Sequence, residues 1–449
     1  MSIYEVFILA FASLIIGSIS RPKIRSHVLL AASMIFVYWL QSRTTSIENI
    51  SFWLPTVTII LVTVSWALTA PPEVRTLQKN WPGLTITLIT IFAIELIGYF
   101  WKTNLLLQNI VIPWMAIIFL ALSVISLVLL VILRASTPDQ IVLPAFLVLL
   151  VLMFIIIKTP ELNKYICATI CKYTDSPPRN NGLFVWLGFS YIGLRVIHTI
   201  RDRQNGLLSP VTFTEYLTYI IFFPSFAAGP IDRVERFVVD LNKTNPLSSL
   251  DWSDAGGRFV MGLFKKFVLA DALATFALNS DTAMHVRSSG WFWILLYAYA
   301  LQIYFDFSGY TDIAIGSAKI MGINLPENFN SPYLKPNLTL FWNSWHMTLT
   351  QWFRSYFFFP LQRGNRASRL RMSPWLLILI SQVSTMVLIG LWHGVALNFI
   401  LWGVWHGMGL FIHNRWKEYT GVAFSTWAAN SFRKNILAAS GIFLTFNYV

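Results

Sequence analysis

The sequence predicts an all-α polytopic membrane protein with about ten to twelve transmembrane helices. Of its 449 residues, 56% are apolar and only 12% are charged, whereas soluble domains carry roughly 25% charged residues. The mean hydropathy is +0.60. Runs of roughly 17 to 25 apolar residues recur along the chain, which is the length that a helix needs to cross the hydrocarbon core of a bilayer.

Apolar runs in the first part of the chain are long and are separated by turn and charge signals. They predict helices over residues 3–19, 27–41, 50–70, 82–100, 108–134 and 140–157. None of these runs holds a cluster of groups that could do chemistry, so we interpret residues 1–160 as an N-terminal transmembrane scaffold. The first run has no basic residues before it and no clean cleavage site, and we expect it to be a retained helix.

Polar groups become frequent from residue 158 onward, and residues 158–181 predict a surface loop or a short interfacial helix. Further helices are predicted over residues 183–200, 213–226, 256–279, 291–320, 374–391, 399–411 and 435–449. Between residues 330 and 416, polar side chains are mixed with many tryptophans, which predicts short, tilted or re-entrant helices. The last run is still apolar where the sequence stops, so we expect one or more further helices beyond it.

The net charge of +13 comes from 33 Lys and Arg against 20 Asp and Glu. The basic residues cluster in short loops, where they orient helices and meet anionic lipid headgroups. We therefore expect these basic residues to contact a lipid bilayer and not a nucleic acid.

Two histidines lie in aromatic sequence of membrane character: His346 in Phe341-Trp-Asn-Ser-Trp-His346, and His393 in Gly390-Leu-Trp-His393-Gly394. An ionisable side chain at membrane depth indicates a functional site. A neutral imidazole can accept a proton, so His393 could serve as a general base toward a hydroxyl. His346 could orient the acceptor or polarise a carbonyl. The alternative for each is a buried histidine whose hydrogen bonds are satisfied.

A metal site is the main competitor of this interpretation. His406 follows His393 by thirteen residues, an offset of roughly 140° on a continuous helix. No carboxylate follows His346 or His393 at close helical spacing. We therefore expect no metal. Asp306 and Asp312 lie in a semi-apolar run and could form helix-to-helix hydrogen bonds or belong to a site.

Four motifs in a fixed order resemble the membrane-bound O-acyltransferase family. They are Gln302–Gly316, Leu325–Tyr333, Phe341–Leu349 with its Trp-His-Met frame, and Leu391-Trp-His393-Gly394. Their order and spacing are similar to the bacterial branch that includes the alginate O-acetyltransferase and the D-alanyl transfer protein of teichoic-acid synthesis. The resemblance is specific over residues 183–413 and generic over the first 160.

The resemblance implies that residues 161–449 form a catalytic core around a central tunnel. It implies that His393 is the catalytic histidine and His346 its partner, with no tightly bound cofactor. Further candidates for substrate binding or for the tunnel wall are Asn343, Trp345, Trp392, Asp306 and Arg354.

The function that we predict is transfer of an acyl group, most simply acetyl, from a cytoplasmic thioester to a hydroxyl of an extracytoplasmic polysaccharide or cell-envelope polymer. The donor would be acyl-CoA or an acyl-carrier protein, the acceptor a glycan or a partner acetyltransferase, and the location the bacterial inner membrane. The alternatives are a transporter or flippase in which histidines relay protons, and a purely structural membrane subunit.

Overall fold

A computed structural model describes residues 2–19, 21–44, 50–100, 142–174, 185–243, 249–367, 372–427 and 431–449. Helices and turns account for the regular structure of these residues, and no strand occurs among them. The predicted class, an all-α polytopic membrane protein, is confirmed. The helix predicted over residues 108–134 lies outside the described residues, and the number of ten to twelve spans stays a prediction.

The chain divides into two compact units, each built from two stretches of sequence. The first unit comprises Met1–Phe154 and Lys164–Pro326, and the second comprises Ile155–Asn163 and Glu327–Val449. The predicted division at residue 160 rests on the character of the sequence and stays a prediction.

The first unit is made of helices over its described residues. They are α1 (Ile3–Gly17), α2 (Pro22–Thr44), α3 (Ile50–Thr69), α4 (Leu77–Phe100), α5 (Val142–Lys158), α6 (Pro160–Thr174), α7 (Phe189–Gln204), α8 (Phe213–Ile220), α9 (Val234–Leu241), α10 (Ser249–Leu263), a π-helix (Phe264–Ala270), α11 (Asp271–Ala274), α12 (Ser280–His285) and α13 (Ser289–Ile320). The end of α5 and the start of α6 belong to the second unit.

Local sequence explains where several of these helices begin. Ser2 and Glu5 form a capping box at the start of α1, and Thr212 and Glu215 form another at α8. Each box satisfies two backbone amides that have no partner inside the helix. The helix predicted over residues 213–226 therefore starts where expected, but it ends at Ile220 and continues as turns.

Three described helices are long and apolar enough to cross a membrane, within the windows Pro22–Gln41, Phe52–Thr69 and Pro374–His393. A fourth span is added if α5 and α6, which meet at an angle of 88°, count as one broken span.

The second unit opens with short helices and ends with long ones. They are a 3₁₀-helix (Pro332–Leu334), α14 (Leu338–Trp342), α15 (Met347–Phe353), a π-helix (Arg354–Phe358), α16 (Phe359–Ala367), α17 (Pro374–His393), α18 (Leu397–Trp427) and α19 (Ser431–Tyr448). The short helices predicted after residue 330 are thus present.

Glycines let α17 and α18 pack closely. A Cβ atom at Gly403 would lie 2.5 Å from Cα of Val387, and one at Gly407 would lie 2.6 Å from Cα of Val383. Small residues at four-residue spacing allow two apolar helices to bring their backbones together. This packing positions the end of α17, where His393 lies.

Candidate active site

The two histidines singled out in the sequence, His346 and His393, belong to the same compact unit. The buried indole of Trp392 forms a ring contact with each of the two imidazoles. Its ring centre is 6.1 Å from that of His346 and 4.9 Å from that of His393, and both pairs meet edge to face. The structure thus brings three of the predicted site residues together.

His346 is held in an unusual backbone conformation at the N-cap of α15. Its φ of 43° and ψ of 53° lie in the left-handed region, which costs a residue with a Cβ atom about 1–2 kcal/mol. The backbone carbonyl of Asn328 accepts the amide of Met347 at 2.9 Å. Oδ1 of Asn328 accepts the backbone amide of Thr348 at 3.2 Å and its hydroxyl at 2.8 Å. These bonds hold the strained turn.

Asn328 also determines the tautomer of His346. Because the Thr348 amide can only donate, the Asn328 atom that it contacts must be the carbonyl oxygen Oδ1. The same oxygen lies 3.2 Å from Nδ1 of His346, so Nδ1 must carry the proton. Nε2 of His346 then carries the lone pair and can accept a hydrogen bond.

The imidazole of His346 is neutral at physiological pH. It is 3% exposed and lies outside the apolar windows that qualify as spans. Burial, followed by the nearby His393, lowers the pKa of His346 to about 3. Since burial disfavours the charged form, His346 is suited to accept a hydrogen bond.

His393 is the last residue of α17 and is accessible, in contrast to His346. The helix ends there because Gly394 has extended backbone angles, and a Cβ at Gly394 would lie 2.7 Å from the ring of Phe399. The imidazole of His393 stacks on Phe399 at 6.0 Å and meets Trp402 edge to face at 5.9 Å. His393 is therefore the histidine that a substrate can reach.

The rings extend into an aromatic cluster that includes a third histidine. Trp402 lies 4.7 Å from His406, and Trp342 lies 5.2 Å from His406 and 5.7 Å from Trp402. The chain breaks between α17 and α18, so the offset between His393 and His406 on a continuous helix does not apply. Trp402 contacts both imidazoles instead.

A cavity of about 240 Å³ lies in the same unit. Half of the residues that line it are polar, although apolar atoms form most of its surface, and Arg354 supplies the one charged side chain among them. They are Thr339, Trp342, Thr350, Arg354, Phe358, Phe359, Gln382, Thr385, Met386, Ile389, Leu410 and Asn414. Trp342 connects this cavity with the aromatic cluster.

The remaining predicted site residues lie elsewhere. Trp345 packs against Phe341 at 5.7 Å and Tyr333 at 5.6 Å, and Asn343 is exposed at the C-cap of α14. Asp306 belongs to the first unit, where it pairs with Lys266.

Asp312, the other carboxylate of that run, accepts from Arg258 and Lys265 at 2.6 Å each. These pairs join α13 to α10 and to the first π-helix. The helix-to-helix bonding considered for both carboxylates is present.

Within the described residues, one group could offer a metal three ligand atoms: His198, Asp202 and Glu235, whose atoms lie within 4.8 Å of one another. Burial, followed by Arg233 and Arg195, lowers the pKa of His198 to about 3. The two arginines that act on this imidazole also oppose a divalent cation. We assign no metal to this group.

Sequence reasoning missed two residues that shape the site. Asn328 lies inside the Leu325–Tyr333 motif, which is the one signal for it in the sequence. Trp402 gave no signal of its own, because its contact with His393 depends on the break between two helices.

Comparisons with known proteins agree with the motifs. The model of the membrane-bound O-acyltransferase family matches residues 34–448. A teichoic acid D-alanyltransferase of Bacillus subtilis is 33% identical over 282 residues, which cover 61% of this chain and 68% of the relative.

Two other relatives match a shorter segment. A probable alginate O-acetylase AlgI of Pseudomonas aeruginosa is 37% identical over 229 residues, which cover 50% of this chain. A peptidoglycan O-acetyltransferase of Helicobacter pylori is 36% identical over 233 residues, which cover 49%. The match spans 42% of the length of each of these two relatives. The chain belongs to the membrane-bound O-acyltransferase family, and it is an acyltransferase.

Proposed function

We propose that this acyltransferase moves an acetyl group from a cytoplasmic thioester, acyl-CoA or an acyl-carrier protein, to a hydroxyl of an extracytoplasmic cell-envelope polymer. The observation that carries the proposal is the pair of imidazoles around Trp392, one accessible and one buried and fixed by Asn328. The named activities of the relatives, on alginate, peptidoglycan and teichoic acid, support an acceptor of this class.

In the proposed reaction, His393 acts as the general base. Its imidazole takes the proton of the acceptor hydroxyl while the oxygen attacks the thioester carbonyl carbon, and the carbonyl electron pair moves to oxygen. The tetrahedral adduct then collapses, the carbon–sulfur bond breaks, and the imidazolium returns the proton to the leaving thiolate. The products are an ester and a free thiol.

His346 supports the base without exchanging the proton itself. Its Nδ1–H is committed to Asn328, so its Nε2 can accept a hydrogen bond from the imidazolium of His393. This bond would stabilise the positive charge that develops on His393 during attack. The surrounding tryptophans would keep water from the thioester, so that transfer is favoured over hydrolysis.

Charge favours acetyl over D-alanyl as the transferred group. A D-alanyl ester carries an ammonium group, and the cavity has no carboxylate among its lining residues and contains Arg354. The ammonium of Lys158 also acts on His393. Like charges in so apolar a site repel each other, whereas an acetyl group is neutral.

The experiment uses membranes that contain the full chain, with labelled acetyl-CoA as the donor and base-labile label in cell-envelope polymer as the readout. We expect His393→Ala to lower the rate by about 100-fold or more, the usual loss when a general base is removed. The matched control is His285→Ala, an exposed histidine of the first unit, which should keep the wild-type rate.

Two results would contradict the proposal. One is transfer by His393→Ala at the wild-type rate. The other is transfer of labelled D-alanine, and not of acetyl, by the wild-type chain. The transporter alternative predicts instead that His393→Ala loses export of an unmodified substrate.

A further inference from the structure

The end of α5 belongs to the unit that contains the histidines, and a sharp bend follows it. Residue 160 is a proline, which lacks an amide donor and disfavours helical angles at the preceding residue. The chain therefore turns by 88° between α5 and α6. Asn163 holds the bend, because its side-chain amide donates to the carbonyl of Ile157 at 3.0 Å. Residues 155–163 pack with the second unit.

Lys158, just before the bend, lies against the turn that follows His393. The backbone carbonyl of Lys158 accepts the amide of Val395 at 3.2 Å. Its Nζ lies 3.5 Å from the backbone oxygen of His393, and its positive charge acts on the His393 imidazole. Lys158 thus contacts both sides of Gly394, although 235 residues separate it from His393.

A lysine beside a general base affects the two charges that the reaction creates in opposite ways. It opposes the imidazolium that forms on His393, and it stabilises the oxyanion that forms on the thioester carbonyl. An ammonium group carries three N–H donors, so Lys158 can bond the His393 backbone oxygen and an oxyanion together. The Lys158 ammonium therefore lowers the energy of the transition state only if it binds the oxyanion.

We propose that Lys158 is a catalytic residue of the acyl transfer and that its ammonium group binds the thioester carbonyl oxygen as this oxygen becomes an oxyanion. The inference rests on the proposed function. When the acceptor oxygen bonds to the carbonyl carbon, the proton goes to His393 and the carbonyl electron pair goes to the oxygen facing Lys158. When the adduct collapses, that pair re-forms the carbonyl, the thiolate leaves with the proton from His393, and Lys158 is unchanged.

The test compares Lys158→Ala and Lys158→Arg with the wild-type chain and with His393→Ala, in membranes holding equal amounts of each protein. Labelled acetyl-CoA is the probe, and kcat and KM are measured separately. Loss of one oxyanion donor costs about 100-fold to 1,000-fold in kcat, so we expect Lys158→Ala to fall in that range while KM for acetyl-CoA changes by less than about twofold. Lys158→Arg should recover at least about a tenth of the wild-type kcat, because it keeps the charge.

Lys164→Ala is the matched control, since this exposed lysine lies on the next helix, and it should keep the wild-type kcat. If Lys158→Ala is not recovered folded, Lys158→Met, which keeps the apolar stem, is measured against the same limits. A wild-type kcat in the variant overturns the proposal. So does an effect confined to KM, which would make Lys158 a donor-binding group, or an equal loss in Lys158→Arg and Lys158→Ala. A wild-type rate no higher than that of His393→Ala overturns the proposed function, and the role of Lys158 with it.

Discussion

Replacement of Asn328 by Ala tests how the buried histidine is oriented. The substitution removes the oxygen that accepts from His346 Nδ1 at 3.2 Å and from the Thr348 amide and hydroxyl at 3.2 and 2.8 Å. Each such bond contributes about 1 kcal/mol. We therefore expect the free energy of unfolding to fall by about 3 kcal/mol, of which about one third reflects the bond to His346.

The bond to His346 also concerns catalysis, because it fixes the tautomer and the direction of the ring. Loss of about 1 kcal/mol of transition-state stabilisation lowers a rate about fivefold. We expect the kcat of acetyl transfer in Asn328→Ala to fall by about this factor, with KM unchanged. The assay is labelled acetyl transfer in membranes, with thermal unfolding followed in detergent.

Thr348→Val is the control, since it removes the hydroxyl donor to Asn328 but leaves the contact between Asn328 and His346. It should lower the free energy of unfolding by about 1 kcal/mol and leave kcat unchanged. If Asn328→Ala is destabilised but keeps the wild-type kcat, Asn328 supports the fold alone and the reasoning on the tautomer is refuted.

Three further predictions concern the same unit. Gly403→Ala should lower the free energy of unfolding by about 1–3 kcal/mol, because its Cβ would press on the Val387 backbone, and equal thermal unfolding temperatures would contradict the close packing of α17 and α18. Arg354→Met should raise KM for acetyl-CoA about tenfold if this charge contributes about 1.4 kcal/mol to donor binding, and steady-state kinetics with an unchanged KM would exclude the role. His406→Phe should keep the unfolding temperature. Nδ1 of His406 is buried without a hydrogen-bond partner, and an apolar ring of similar shape fits the aromatic cluster. A drop in the unfolding temperature together with lost transfer would show that this imidazole has a polar function.

Hydropathy and short motifs predicted most of the architecture. Helices of the described chain follow the apolar runs, because a spanning helix is fixed by the length of its own apolar sequence. The break between α17 and α18 was also visible, since Gly394 interrupts two apolar runs.

The contacts that define the site are non-local and could not be predicted in the same way. The left-handed turn at His346 depends on Asn328 in an earlier loop, and Lys158 contacts His393 only because α5 ends beside the turn that follows α17. Neither contact leaves a periodic signal in the sequence. Asn343 and Trp345 lie close to His346 in sequence, but Trp345 packs against Phe341 and Tyr333.

The central claim is that His346 and His393 act as one unit, and the most direct measurement is a double-mutant cycle of acetyl transfer. The rates of His346→Ala, His393→Ala and the double variant are compared with the wild-type rate. The rate losses of groups that act together are strongly non-additive. We therefore expect the rate of the double variant to lie within about threefold of the His393→Ala rate. Losses that multiply, or a single variant that keeps the wild-type rate, would contradict the account.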